Sequence, residues 1–145
     1  MDFFDALQTS SSGLSAQRLR MNLISSNLAN IRTTRTPQGG PYKRKDAIFE
    51  AKPVTKSFRD VLKSQRAKGI SEVKVAEIIE DSAPPIMKYD PNHPDADEKG
   101  YVGMPNINLM EEMVNMINAA RSYEANVTAV KTSKSMALQA LDIGK

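Results

Sequence analysis

The chain of 145 residues has no cysteine and no tryptophan, and aromatic residues make up only 6% of it. Without cysteine there can be no disulfide, no thiolate nucleophile and no cysteine-ligated metal. So few aromatics leave material for a modest core and predict an elongated molecule. No apolar run approaches the roughly 18 to 20 residues that cross a bilayer, so direct membrane insertion is not expected. The first residues, Met1-Asp2-Phe3-Phe4-Asp5, are acidic where a secretory signal is basic, and the serines that follow provide no apolar core for one. Taken alone, these features describe a soluble protein that is cytoplasmic by default. Charge of one sign is not in excess either: 20 lysines and arginines face 17 acidic residues, a formal charge of +3. A dedicated nucleic-acid binder rests on a stronger basic surplus, so no nucleic-acid partner is expected.

Signs of catalysis are equally scarce. No serine or threonine sits in a nucleophile elbow, and the pair Gly39-Gly40 lacks the spacing and following lysine of a phosphate loop. His93, among Asp90, Asp95, Asp97 and Glu98, is the one cluster to weigh as a metal site. Counted from Asp95 as a calcium loop, it puts Lys99 at the fifth position and Asn106 where the closing glutamate belongs. A loop braced by prolines and turn-capping carboxylates explains it better. We expect no enzyme, no catalytic residues, no cofactor and no metal.

What the chain does contain is heptad spacing at both ends. From Asn108 onward, apolar residues fall at Leu109, Met113, Met116, Ala120, Tyr123, Val127, Val130, Ala137 and Leu141, in steps of four and three with one lapse at Lys134. Such a seam turns one stripe of a long helix toward a partner helix. At about 1.5 Å per residue this helix would run roughly 50 Å, beyond the width of a compact domain of this size. The N-terminal segment repeats the spacing at Phe3, Leu7, Leu14, Met21, Ile24, Leu28 and Ile31, with polar lapses at Ser10 and Gln17. The expected fold is therefore mainly α: a long antiparallel, coiled-coil-like pair of N- and C-terminal helices. The N-terminal helix occupies 1–31 and the C-terminal helix 107–145, with a small, irregular, β-containing module at 32–106.

Ser10-Ser11-Ser12-Gly13 has low helix propensity. The helix is thus expected from Leu14 to Asn30, with the first dozen residues ordering only when bound. Leu19 and Leu23 lie off the first seam, and Met110, Val114 and Ile117 off the second. A two-helix pair buries one stripe on each member, so these surplus stripes call for further neighbours, and other subunits are the expected ones. The methionines Met110, Met113 and Met116 suit an adaptable surface or ordinary core filling.

In the middle, turn formers run from Thr33 to Pro41 and lead into Lys43-Arg44-Lys45. Asp46 to Ala51 reads as a short strand. Lys56 to Lys68 reads as a brief amphipathic helix with Phe58, Val61 and Leu62 on one face. Ser71 to Glu80 alternates with period two, as a half-buried strand does, and Ile86 to Tyr89 is its expected antiparallel partner. Asp90 to Gly100 is a polar loop. Eleven bases and three acids lie between Arg32 and Lys68, against eight acids and two bases between Glu72 and Glu98. Two such blocks can attract across a subunit boundary and fix orientation, or can be two solvated surfaces.

One set of residues resembles a known family. Ser15 to Asn30, then Thr33-Thr34-Arg35-Thr36-Pro37 and Gly39-Gly40-Pro41-Tyr42, is similar to the N-terminal motif of bacterial flagellar rod and hook proteins. The segment Tyr89 to Asp97, with Gly100-Tyr101-Val102 and Pro105-Asn106, is similar to one that marks proximal-rod members. Glu112-Met113-Val114, Met116-Ile117, Ala120, Arg121 to Asn126 and Lys134 resemble the C-terminal motif. The likeness is thinnest over 52–70.

The resemblance implies a structural subunit of the basal-body rod, with other rod subunits and basal-body components as partners. It also implies delivery, unfolded, by the flagellar type III export apparatus to the periplasm without a cleaved signal, which reverses the cytoplasmic default. Phe3 and Leu7 resemble the phenylalanine-x-x-x-hydrophobic motif offered to the export gate, and equally suit packing. Leu14, Met21, Ile24, Leu28, Leu109, Met113, Met116, Ala120, Tyr123, Val127, Val130 and Leu141 are the expected helix-packing residues. The alternative class is a cytoplasmic helical adaptor or chaperone that clasps a partner helix with the same seams.

Overall fold

Helical spacing at the two ends and strand alternation between them become six regular elements among the described residues. The computed structural model describes residues 3–53 and 71–143. In chain order these are α1 (Phe3–Ala29), β1 (Lys45–Pro53), β2 (Ser71–Glu80), β3 (Ile86–Tyr89), β4 (Tyr101–Met104) and α2 (Leu109–Ile143). The architecture is mainly helical with a small antiparallel β portion, as expected. The helix anticipated at 56–68 lies outside the described residues.

α1 starts earlier than its serine run predicts. It is continuous from Phe3 through Ser10–Gly13 to Ala29, so the expectation that the first dozen residues order only when bound does not describe this fold. The reason is tertiary. Ser12 Oγ donates to the Thr9 carbonyl at 2.8 Å and accepts from the Val73 N–H of β2 at 3.1 Å. Gln8 donates to the Glu72 carboxylate. Gly13 leaves room for α2, since a Cβ there would stand 3.1 Å from Asn126 Nδ2. Residues with poor helix propensity thus serve as contact points, and the contacts outweigh a propensity cost on the order of 2 kcal/mol for the four residues relative to alanine.

α2 begins where its capping chemistry says it should. Asn108 Oδ1 accepts from the Met110 N–H at 3.0 Å and lies 3.5 Å from the Glu111 N–H, supplying acceptors for amides that no helical carbonyl reaches. Glu111 and Glu112 occupy the first turn, where carboxylates favour the positive end of the helix dipole.

β1 and β2 pair antiparallel from Lys45↔Glu80 to Pro53↔Ser71, with a register shift at Ile48/Phe49 that leaves Ala76 without an opposite residue. The opposed charge blocks meet here, inside one chain: Lys45 faces Glu80, Glu50 faces Lys74 and Lys52 faces Glu72. The Lys45 Nζ to Glu80 Oε1 distance is 3.4 Å. Part of the complementarity that suggested a subunit boundary is therefore satisfied within the subunit.

The expected pairing of Ile86–Tyr89 with Ser71–Glu80 is not found. β3 pairs with β4 instead, from Ile86↔Met104 to Tyr89↔Tyr101. Pro84 and Pro85 donate no backbone hydrogen bond and have fixed φ, so they do not turn β3 back along β2. The 90–100 loop does close a hairpin. Asp90 N–H donates to the Gly100 carbonyl at 2.9 Å, and Asp97 Oδ1 accepts from the Lys99 and Tyr101 amides at 2.9 and 2.8 Å. Gly100 has φ 80°, and a Cβ on it would lie 2.9 Å from Tyr89 Cε2. Only glycine fits that corner.

α1, not α2, is the central element. It packs against α2, β1 and β2, and Arg20 lies over the Phe49 ring at 5.9 Å. Past Phe3, its exposed positions are Phe4, Gln8, Ser11, Ser15, Arg18, Asn22, Ser25 and Ala29, one narrow stripe in steps of four and three. Leu19 and Leu23, which lie off the expected seam, are half-buried within the chain. Ala16 and Ile24 are buried on α1, as are Val102, Ile107 and Ala119 elsewhere. Among the described residues, no helix is long and apolar enough to cross a membrane.

Candidate assembly surface

α2 shows two faces with different chemistry. Its inward positions are Glu112, Met116, Ala119, Tyr123, Asn126, Val130, Ser133 and Ala137, each buried or half-buried and spaced by alternating fours and threes. The seam expected from the sequence shares Met116, Tyr123, Val130 and Ala137 with this set. The other half is displaced by one residue: Glu112 replaces Met113, Ala119 replaces Ala120 and Asn126 replaces Val127. Ala120 and Val127 are half-buried flanks, whereas Leu109, Met113 and Leu141 are exposed. That expectation is corrected because it ranked positions by hydrophobicity, while the inner face alternates larger residues with small or hydrogen-bonded ones.

The outer face carries the surplus. Leu109, Met110, Met113, Val114 and Ile117 are all exposed on the first turns of α2, with Met110 at 68%. Met136, Leu138 and Leu141 are exposed near the other end. Contiguous exposed apolar side chains of this kind mark interaction surfaces. On α1, Ile24 is buried and Leu14, Met21 and Leu28 are half-buried. Phe3 opens the helix, and Leu7 is half-buried. The 90–100 loop uses His93 as a brace, since its Nδ1 accepts from the Asp95 N–H at 3.1 Å, and Thr34 donates to Asp95 at 2.8 Å.

A buried polar joint, which hydrophobic spacing could not reveal, connects the two helices to β1. The loop after α1 folds back on itself: Tyr42 N–H donates to the Thr33 carbonyl at 3.0 Å, and Thr36 N–H to the Gly40 carbonyl at 2.9 Å. Gly39 and Gly40 take up positive φ there, at 91° and 74°. Lys45 is thereby returned to the end of α1. Asn27, fully buried, donates to the Lys45 carbonyl at 2.9 Å and to Glu112 Oε2 at 3.1 Å. Its Oδ1 accepts from the Lys45 N–H at 2.9 Å and the Tyr42 hydroxyl at 3.1 Å. All four hydrogen-bonding positions of the amide are filled. With the Tyr42 hydrogen engaged there, Ser26 Oγ is the donor in its 3.2 Å contact with the Tyr42 oxygen.

Glu112 receives the Arg44 Nε at 2.7 Å on its other oxygen, with a side chain only 1% exposed. Arg44 also reaches Asp46 at 3.3 Å. Burial acts to lower the Arg44 pKa, but the hydrogen bond and charge of Glu112, together with Asp46, outweigh it and raise the value. A raised arginine pKa keeps the guanidinium charged in both folded and unfolded chains across ordinary pH, so Arg44 itself adds no pH dependence to stability there.

One buried atom runs against this satisfaction. Gln17 Oε1 is buried without a hydrogen-bond partner among the described residues. An unsatisfied buried acceptor costs on the order of 1–3 kcal/mol, so Gln17→Met is expected to stabilise the subunit by about 1 kcal/mol. Thermal unfolding followed by circular dichroism would show a raised Tm; a lowered one would mean that the carboxamide has a partner.

Comparison with known proteins finds matches at both ends of the chain. Residues 7–35 match the family model "Flagella basal body rod protein", and residues 98–143 match "Flagellar basal body rod FlgEFG protein C-terminal". The chain is 48% identical to the flagellar basal-body rod protein FlgC of Borreliella burgdorferi, over 99% of this chain and 98% of the relative. It is 44% identical to FlgC of Bacillus subtilis and 39% identical to FlgC of Escherichia coli, in both cases over the full length of both chains.

Proposed function

This chain belongs to the FlgC family of flagellar basal-body rod proteins and is a structural subunit of the rod, and from that premise we propose how it assembles. α1 and α2 form an antiparallel, coiled-coil-like pair inside the subunit, and the outer face of α2 packs against neighbouring rod subunits. The exposed apolar residues Leu109, Met110, Met113, Val114 and Ile117 carry this reading. Support for the antiparallel sense comes from two contacts, Asn27 with Glu112 and Gly13 with Asn126, which advance in opposite directions along the two helices. Other basal-body components are the remaining partners, and the rod so built transmits motor torque. The adaptor reading finds no counterpart among the relatives.

Delivery through the flagellar type III export apparatus, without a cleaved signal, rests on the resemblance of Phe3 and Leu7 to the export-gate motif; Leu7 is half-buried in the folded subunit.

Met110→Asp and Val114→Asp test the assembly surface. Both side chains are exposed in the subunit, so unfolding of the purified variants is expected to be unchanged within about 0.5 kcal/mol. Burying an unpaired carboxylate between subunits is costly, so the variants should be absent from isolated basal bodies and the cells non-motile. Normal incorporation of both would remove the outer face of α2 from the assembly.

A further inference from the structure

The inner face of α2 does not by itself say where along α1 it should sit. Its inward residues recur every seven positions, and Asn27 opposite Glu112 and Gly13 opposite Asn126 are separated by two such periods on each helix. Sliding α2 by one heptad, about 10 Å at 1.5 Å per residue, returns a stripe of the same spacing to α1. Met116, Tyr123 and Val130 would exchange places with one another, and nonpolar contact is too undirected to distinguish the registers.

We propose that the buried joint of Asn27, Arg44 and Glu112 is the register key of the helix pair. Asn27 is tied to the Lys45 peptide by two hydrogen bonds of 2.9 Å, which makes α1 and the start of β1 one body. That body presents two donors, Asn27 Nδ2 and Arg44 Nε, to one carboxylate on α2 at 3.1 and 2.7 Å. Only one register satisfies them.

A slide in one direction sets Ala119 opposite Asn27, and a slide in the other sets Pro105 there. Either leaves the Arg44 guanidinium and the Asn27 amide without the carboxylate, and moves Glu112 away from both. A polar group within an otherwise interchangeable seam is the best-attested way for a helix pair to select a single alignment. Among the described residues, β3 and β4 pack on each other and on no other regular element. The small sheet that precedes α2 is tied to the loop after α1, by Thr34 to Asp95 at 2.8 Å, and, among those residues, not to α1 or β1 themselves.

This inference concerns the subunit's own fold and stands whether or not the outer face of α2 docks on neighbours. If that reading also holds, the key sets the height of the docking face along the subunit.

The chain has no cysteine, so engineered pairs report register without background. Gly13→Cys with Asn126→Cys reads the native alignment. Gly13→Cys with Ser133→Cys, or with Ala119→Cys, reads a slide of one heptad in either direction. With the joint intact, mild oxidation should cross-link only the first pair. In the Asn27→Leu/Arg44→Met/Glu112→Leu background, helicity by circular dichroism should persist, because apolar replacement of a buried ionic cluster is often neutral or stabilising. The slid pairs should then cross-link at least tenfold more than with the joint intact.

Cross-linking confined to the native pair in the triple variant would overturn the proposal. Loss of folding in that variant would also overturn it, because the joint would then supply stability and not alignment. Glu112→Ala with Ala119→Glu gives an independent reading: moving the carboxylate one heptad should move the cross-link to the Ser133 pair, and retention of the Asn126 pair alone counts against the key.

Discussion

Glu112→Ala is expected to lower the free energy of unfolding by about 3 to 5 kcal/mol. The loss does not measure the strength of one ion pair. Alanine removes a carboxylate whose two oxygens each hold a donor, Arg44 Nε and Asn27 Nδ2. It leaves a half-buried guanidinium with Asp46, at 3.3 Å, as its remaining counter-charge among the described residues. The Asn27 amide loses a partner at a site no water reaches, since the residue is 0% exposed. Unmade bonds of this kind cost the full desolvation of the stranded group.

Glu112→Gln keeps the shape and one acceptor and should lose less. Truncating the exposed partner Glu80, opposite Lys45, should change stability by under about 0.5 kcal/mol, the usual scale for a solvated pair. Urea unfolding of the three variants, followed by circular dichroism, decides the matter. A loss at Glu112 no larger than that at Glu80 would mean that the joint is not the buried, interdependent cluster described above.

Ile24→Ala is expected to cost about 2 to 5 kcal/mol through a different mechanism. Ile24 is 4% exposed on the helix that packs against α2 and both strands of the first sheet. Removing three carbons there opens a cavity that a helix held on several sides cannot close. On α2, Met110→Ala removes a side chain of similar size from an exposed position and should change subunit stability by under about 0.5 kcal/mol. The same comparison read as rod assembly should invert, because Met110 belongs to the face proposed to meet neighbours. An Ile24→Ala loss below about 1 kcal/mol would contradict the central placement of α1.

Much of this architecture is legible from residue order. The three-four spacing locates both terminal helices, and the two-residue alternation of Val73 and Val75 locates β2, because each pattern states which side of a regular backbone is apolar. Asn108 marks the start of α2 through local capping chemistry. Strand partnership is less legible. Ile86–Tyr89 has alternatives on either side, and the choice of β4 depends on how Asp97 and Gly100 close the loop between them. Nor could composition show that Ser10–Gly13 would be helical, since the helix there relies on Val73, Glu72 and Asn126 from distant segments.

Sequence by itself determined that two long helices flank a small β region, that their stripes repeat every seven residues, and that α2 has more apolar surface than one partner covers. Those are properties of local geometry and periodic hydrophobicity. Only the tertiary structure decided which half of the α2 seam faces inward. Glu112 looks like a surface residue until Arg44 and Asn27, separated from it by 68 and 85 positions, surround its carboxylate. A buried charge is tolerable only beside its partners, and a one-dimensional pattern does not say which residues those will be.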